Sequence, residues 1–175
     1  IIIIILITGI LQKHKKTTYL MKSFLVKNKR PVVRWTRLED NTFFEGNVPA
    51  GFDLAVAPSG NYIIVDVDRH GDIDGFDNIP IGIFKELKLT FGYPTKNLGW
   101  HFWFKYTGTD ALANKTSGLG IDLRCAHPIT GKALGYVVYY PRDDFRTHLN
   151  EINETSEEMN EWVESLFSRK SKLRR

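Results

Sequence analysis

The run Tyr-Ile-Ile-Val-Asp-Val-Asp at residues 62–68 places two carboxylates at the end of a segment that is otherwise apolar and β-branched. The run Tyr62–Val67 within it predicts a buried strand. Because side chains alternate along a strand, Asp66 and Asp68 share one face. Two such carboxylates repel each other and lose hydration, and a divalent cation removes both costs. The pair therefore suggests an Mg²⁺ site, although a turn-capping Asp beside a solvent-facing Asp is the simpler interpretation of the dipeptide alone.

A second chemically unusual segment follows at Trp100–Tyr106, where alternating aromatic and polar residues predict another strand. Alternation divides its side chains between a core face with Trp100, Phe102 and Phe104 and an opposite face with His101, Trp103 and Lys105. An imidazole on the second face can donate a hydrogen bond to a phosphate oxygen. Gly99 would let the backbone approach a ligand closely. A half-buried structural histidine is the alternative.

A third acid, Asp122, lies in the strand-like segment Gly118–Arg124 and shares a face with Arg124. An Asp and an Arg two residues apart on a strand often form only a surface ion pair. The other interpretation is a third metal ligand beside an arginine that contacts phosphate.

The remaining patterns predict an α+β domain with a mostly antiparallel sheet and helices on one side. Two helices are expected. One begins at Pro80 and carries Ile83, Phe84, Leu87 and Phe91 on one face. The other follows the capping-box pattern at residues 155–158, and its apolar stripe consists of Met159, Trp162, Val163, Leu166 and Phe167. The further strands that we expect are Pro31–Arg37, Phe52–Val56 and Ala133–Tyr140, the last joined to Gly118–Arg124 by a long hairpin.

Charge is distributed unevenly along the chain. Residues 1–37 hold nine Lys or Arg and no acid, residues 169–175 hold five more, and the segment between them has a net charge of −10. Basic ends can contact a phosphate backbone or simply remain solvated.

The apolar start at residues 1–10 is too short to span a bilayer, and its positive charges follow it rather than precede it. We expect an upstream extension at 1–20, a domain at 21–168 beginning at Met21, a basic tail at 169–175, and a cytoplasmic protein without membrane association.

Taken in order, these motifs resemble the bifunctional primase-polymerase (prim-pol) domain of the archaeo-eukaryotic primase superfamily. The likeness covers roughly residues 30–141. It rests on P-V-V-R-W at 31–35, A-P-S-G at 57–60, D-V-D at 66–68, T-x-N-x-G-x-H-F-W-F at 95–104, G-I-D-L-R at 120–124 and G-Y-V-V-Y-Y-P at 135–141. The segment Asn97-Leu98-Gly99 departs from the family's usual Ser-Gly-Gly, Tyr139-Tyr140-Pro141 replaces Pro-Pro-Ser, and the stretch Cys125–Leu134 is longer than expected.

The resemblance implies an RRM-like, mostly antiparallel sheet of the prim-pol type with flanking helices. It implies that Asp66, Asp68 and Asp122 bind Mg²⁺ or Mn²⁺ as catalytic acids. The nucleotide would be bound by a second group of residues: His101, Asn97, Gly99, Arg124, Thr95 and Lys105, with Lys96 as a further helper. The activity implied is template-directed nucleotidyl transfer in the replication of a phage, plasmid or integrated element.

The implied partners are nucleoside triphosphates, a single-stranded DNA template and a separately encoded replicative helicase. We expect the template to lie against exposed aromatic residues such as Trp103 or Tyr139 and against the basic N-terminal segment. Two alternatives remain, a catalytically inactive single-stranded-DNA-binding remnant and a metal-dependent nuclease.

Overall fold

The computed structural model of the chain describes residues 21–39, 42–139 and 151–168. The expected extension at 1–20 and the basic tail at 169–175 lie outside these residues, as does Tyr140 at the end of one predicted strand. Among the described residues, no helix is both long enough and apolar enough to cross a membrane.

The elements follow one another without a regular strand-helix alternation. The strands are β1 (Met21–Lys27), β2 (Arg30–Pro31), β3 (Asp53–Pro58), β4 (Tyr62–Val67), β5 (Arg69–His70), β6 (Ile73–Asp74), β7 (Gly92–Pro94), β8 (Trp100–Lys105), β9 (Lys115–Thr116), β10 (Ile121–Arg124), β11 (Val137–Tyr139) and β12 (Asn153–Glu154). The helices are α1 (Ile81–Leu87) and α2 (Glu157–Phe167), with 3-10 turns at Trp35–Arg37 and Gly75–Asn78.

Two larger sheets and one small hairpin make up the described β structure. A six-stranded sheet has the order β12-β8-β4-β10-β9, with β7 also paired to β8, and a four-stranded sheet has the order β11-β3-β1-β2. Every pairing is antiparallel except that of β12 with β8. The predicted α+β class with a mostly antiparallel sheet is therefore confirmed.

Three apolar clusters hold these layers together. One face of the six-stranded sheet packs against both helices, as predicted, and buries Val65, Val67, Phe102, Phe104, Ile121 and Leu123 with Ile83, Leu87, Met159, Val163 and Phe167. The opposite face packs against the four-stranded sheet through Ile64, Trp103, Leu54, Val56 and Val137. A third cluster, which contains Phe24, Val26 and Trp35, lies on the far side of the four-stranded sheet. Each large side chain that is fully buried contributes roughly 1.5–3 kcal/mol.

Four local predictions are wrong in detail. The segment Pro31–Arg37 is not one strand, because the chain turns after Pro31 and stacks Trp35 on Phe24 at 5.4 Å between ring centroids. The first helix ends at Leu87, so that Phe91 packs between the two sheets rather than on the helix face.

The long hairpin between β10 and β11 does not form a sheet. These strands belong to different sheets, and only Ala126 and Ala133 bridge within the connection. Val137 instead pairs with Val56, where it completes the core between the sheets. At the start of α2 the cap is Ser156, whose Oγ accepts the Met159 N–H at 3.0 Å, one residue later than the predicted Thr155.

Candidate metal centre and anion cavity

The register of the six-stranded sheet aligns the predicted site residues in one row. Asp66 lies directly opposite His101 on β8 and directly opposite Asp122 on β10. Directly opposed residues on antiparallel strands have side chains on the same face. The row continues to Tyr93 on β7, whose ring meets the His101 ring edge-on at 5.1 Å and so restricts the orientation of the imidazole.

Asp68 lies one residue beyond β4, and two glycines hold its backbone in place. Its N–H donates to the carbonyl of Gly120 at 2.8 Å, and its carbonyl accepts the N–H of Gly75 at 2.9 Å. A Cβ on Gly75 would lie only 2.2 Å from the Gly120 oxygen, so that no larger residue fits at that contact. The loop after β4 therefore returns against the start of β10 and keeps Asp68 beside the other acids.

The three carboxylates form a compact cluster. One oxygen from each of Asp66, Asp68 and Asp122 can be chosen so that all lie within 4.8 Å of one another. Arg124 Nη2 lies 2.8 Å from Asp122 Oδ2 and 3.9 Å from Asp66 Oδ2, and His101 Nε2 lies 3.2 Å from Asp66 Oδ1. The structure thus brings together the three acids, the histidine and the arginine.

The local electrostatics shifts the pKa values of Asp66 and Asp68 in opposite directions. Burial alone would raise the pKa of Asp66, but the adjacent imidazole of His101 and the charges of Arg124 and Lys29 lower it below its usual value. Burial and the neighbouring charges of Asp66 and Asp122 raise the pKa of Asp68, against a smaller opposing effect of His70 and His101. In the absence of a cation, Asp68 therefore ionises at a greater cost than Asp66.

A cation fits the donors that this cluster provides. Although His101 Nε2 lies 3.2 Å away, Asp66 Oδ1 is buried and accepts no hydrogen bond of good geometry from the described residues, and His101 Nδ1 has no partner among them. Buried polar groups are nearly always satisfied, so an unsatisfied carboxylate oxygen beside two further carboxylates is a suitable ligand for a cation. Carboxylate oxygens are the donors that Mg²⁺ and Mn²⁺ prefer.

An open cavity of about 570 Å³ leads to these acids. Asp66, Asp68, His101 and Arg124 line it, with Lys29, Thr95, Lys96, Asn97 and Tyr136 around them. Asp122 does not line the cavity. Arg124, which forms an ion pair with Asp122, does line it. The cavity therefore combines an acidic centre with surrounding cations and amides, a combination that suits an anionic ligand bound through a metal.

The loop between β7 and β8 supplies Thr95, Lys96 and Asn97 to the cavity. It closes through the Thr95 N–H, which donates to the Gly99 carbonyl at 2.8 Å, and Leu98 adopts a positive φ of 65°. Gly99 itself is not a lining residue, contrary to the expectation that it would touch a ligand. A Cβ there would lie 2.2 Å from the Val67 carbonyl oxygen, so Gly99 serves to seat the loop against β4.

Three other expected contacts are not at the cavity. Lys105 lies four residues beyond His101, about 13 Å along the strand, where its Nζ pairs with Glu154 at 2.5 Å. Trp103 and Tyr139 are only 2% and 3% exposed, because both are buried in the apolar cluster between the two sheets. Neither ring offers an open surface to a template strand, so that part of the prediction is wrong.

Two polar residues of the cavity were missed from the sequence, Lys29 and Tyr136. Lys29 belongs to the turn between β1 and β2, and Tyr136 precedes β11. The Asn28-Lys29 pair between two strand-like segments is a hairpin signal that could have predicted the turn. Nothing local could have predicted that either residue faces the acids on β4, because that proximity depends on how the two sheets pack.

The comparisons with known proteins identify no relative. A scan against known protein families finds no match, and a search of curated proteins finds no similar sequence.

Proposed function

We propose that this chain is a metal-dependent nucleotidyltransferase of the primase-polymerase type, which joins nucleotides on a single-stranded DNA template. The observation that carries the proposal is the row His101–Asp66–Asp122, with Asp68 beside it, at the end of an open cavity with several cations. The acids come from two separate parts of the chain, residues 66–68 and residue 122, and like charges directly opposite each other destabilise a sheet. A function for the clustered charges, namely metal binding, accounts for this cost.

The cations around the acids support a triphosphate as the ligand. Lys96 and Arg124 both line the cavity, and Asn97 adds an exposed amide. A nucleoside triphosphate carries several negative charges that such side chains can contact, Arg124 as a planar fork and Lys96 as a point charge. A nuclease needs no triphosphate site, so this lining supports transfer from a triphosphate over the nuclease alternative.

The chain's own residues would act mainly by positioning. Divalent metal bound at such acids supplies charge neutralisation on the reacting phosphate oxygens and a more acidic attacking hydroxyl. Asp66, Asp68 and Asp122 would hold it. His101, whose Nε2 lies 3.2 Å from Asp66 Oδ1, lines the cavity, and its imidazole can donate to a phosphate oxygen. The loop at residues 95–97 and Arg124 would orient the triphosphate. Such positioning provides most of the rate advantage in phosphoryl transfer.

The experiment is incorporation of labelled nucleotides on single-stranded templates, with and without a primer, in Mg²⁺ or Mn²⁺. Asp66→Asn keeps the side-chain shape and should reduce incorporation by at least about 100-fold, because it removes a ligand charge. Asp77→Asn is the matched control, since Asp77 is exposed and lies outside the acidic cluster. Full activity in Asp66→Asn contradicts the proposal, and template cleavage without incorporation favours the nuclease.

One observation favours a second candidate, a protein that binds single-stranded DNA without catalysis. Arg124 already lies within ion-pair distance of Asp122 and Asp66, so part of the acidic charge is neutralised by the protein itself. In that case the acids and Arg124 would be a structural network. Calorimetric titration with Mn²⁺ separates the candidates, because the structural network predicts no binding that depends on Asp66 or Asp68.

A further inference from the structure

The first hairpin of the described chain is strongly basic. Residues 21–38 contain six Lys or Arg and no acid. We call residues 27–30, Lys-Asn-Lys-Arg, the basic hairpin; their side chains are exposed, and Arg34 and Arg37 follow on the same segment, also exposed. A concentration of positive charge of this kind attracts a polyanion.

The tip of the basic hairpin is held in a defined conformation. Asn28 and Lys29 both have positive φ, 52° and 62°, as a two-residue turn of this type requires. The Tyr136 hydroxyl donates to the Lys29 carbonyl at 2.9 Å and so ties the turn to the segment before β11. Lys29 and Tyr136 both line the cavity of the acids, and the charge of Lys29 acts on Asp66. The basic hairpin is thus continuous with the candidate site.

Aromatic side chains lie directly beside this hairpin. Phe24 and Trp35 stack with centroids 5.4 Å apart, and Tyr136 meets each of them edge-on at 5.4 Å. Trp35 and Tyr136 are half-buried, so that part of each ring reaches the surface, whereas Phe24 is buried beneath them. Cations along a backbone path and partly exposed rings for bases are the two parts of a surface for single-stranded nucleic acid.

We propose that the basic hairpin, with Tyr136 and Trp35, is the surface on which single-stranded DNA enters the cavity. Lys29 and Arg30 contact backbone phosphates, and a base nearest the cavity stacks on Tyr136. This inference rests on the proposed function for the identity of the polyanion as a template. It replaces the expected contacts with Trp103 and Tyr139, which are buried between the two sheets. A duplex hides its base faces and an anionic membrane has none, so rings beside the cations favour a single strand.

The test measures binding of a labelled oligodeoxynucleotide to the full chain by fluorescence anisotropy in EDTA, at several salt concentrations. Because metal and triphosphate are absent, this readout does not depend on catalysis. K29Q/R30Q should weaken binding roughly tenfold or more and reduce the slope of log affinity against log salt by about 0.7 for each phosphate that the variant no longer neutralises. Lys85→Gln is the control for removal of one charge, since Lys85 is exposed on α1, on the helix side of the six-stranded sheet. It should leave the affinity unchanged to within about twofold.

Two further variants separate stacking from folding. Tyr136→Phe keeps the ring and removes the hydrogen bond to Lys29, whereas Tyr136→Leu removes the ring. If bases stack there, the Leu variant binds the single strand more weakly than the Phe variant, while both show the same reduction of affinity, if any, for a duplex of equal length. Thermal unfolding of each variant verifies that the fold persists.

Three results would overturn the inference. They are unchanged affinity and salt slope in K29Q/R30Q, tighter binding of duplex than of single strand, and binding of vesicles with anionic headgroups in place of DNA. None of these affects the nucleotidyltransferase proposal, which depends on metal binding and incorporation. Conversely, K29Q/R30Q-sensitive DNA binding in a protein without metal-dependent incorporation would support this surface and contradict the catalytic role.

Discussion

Asp66 and Asp122 lie directly opposite each other on adjacent antiparallel strands, with the guanidinium of Arg124 2.8 Å from the second carboxylate and 3.9 Å from the first. Two like charges at such positions destabilise a sheet unless a cation lies between them. Arg124 reaches these two acids, and no described pairing joins it to Asp68. The site therefore retains an excess of negative charge at Asp68, and this excess leads to the first prediction.

Asp68→Asn should stabilise the metal-free protein at neutral pH by about 0.5 kcal/mol, a value reduced to allow for the partial exposure of this carboxylate. The reason is that burial and the charges of Asp66 and Asp122 raise the pKa of Asp68 in the folded state. A raised pKa means that this group favours folding below its ordinary pKa of 3.8 and that this contribution is lost as pH rises through the folded-state value. The stabilisation by Asp68→Asn should thus be absent at acid pH and should appear as the pH approaches neutrality.

Urea denaturation in EDTA between pH 3 and pH 7, a range chosen around ordinary carboxyl values, measures this gain. In excess Mg²⁺ the order should reverse, because the wild-type protein then gains binding free energy that the variant lacks. Asp72→Asn, at an exposed position in the same loop, is the control. Equal effects of the two substitutions under all conditions would show that Asp68 has no special environment.

Gly99→Ala should destabilise the protein by about 2 kcal/mol, because its Cβ would lie 2.2 Å from the Val67 carbonyl oxygen. Relief of this clash moves the loop at 95–97 away from β4, so binding of nucleotide should fall as well. The comparison is Gly71→Ala, where no atom lies within 4 Å of the added Cβ and a φ of +55° alone costs about 1 kcal/mol. Urea denaturation and nucleotide titration measure the two effects, and a Gly99→Ala variant as stable as Gly71→Ala contradicts the close packing.

Lys96→Gln and Lys105→Gln should differ in their effect on nucleotide binding. Lys96 lines the cavity, so removal of its charge should weaken binding of a fluorescent triphosphate about fivefold. Lys105 is paired with Glu154 at the far end of β8, and its substitution should leave the affinity unchanged. An equal reduction in both variants would indicate general charge attraction rather than a defined site, and strong salt dependence of both would support that conclusion.

Ser156→Ala should lower the free energy of unfolding by about 1 kcal/mol, because its Oγ accepts the Met159 N–H at the first turn of α2. Ser165→Ala, on the exposed side of the same helix, should change stability by less than about 0.5 kcal/mol. Thermal or urea unfolding of both variants provides the measurement. If Ser156→Ala is as stable as Ser165→Ala, the cap at residue 156 is incorrect.

Much of the local structure was predictable because strand alternation is a local property. The predicted run Tyr62–Val67 is β4 to the residue, and β8 matches the predicted strand to within one residue. The core faces of these strands were also correct, since Phe102, Phe104 and Val65 pack against the helices. The apolar stripe of α2 was predicted as well, for the same kind of reason, because Met159, Val163 and Phe167 recur at helical spacing.

The predicted exposure of Trp103 was wrong, because the four-stranded sheet covers only part of the β8 face on which Trp103 and His101 lie. His101 and Trp103 share one face of β8, and alternation treats them alike. The four-stranded sheet packs over Trp103, whereas His101, although only 4% exposed, borders the cavity. Whether one end of a strand face is covered depends on where another sheet ends, and no local pattern carries that information.

The sequence alone determined which side chains share a face, because backbone geometry places alternate residues on opposite sides of any strand. It thereby determined that Asp66, His101, Asp122 and Arg124 lie away from the helices. Only the tertiary structure decided that β4 lies between β8 and β10 in the register that aligns these residues, and that the hairpin with Lys29 reaches the same cavity. Register and sheet packing depend on contacts between residues far apart in the chain, whose energies are settled together by the whole core.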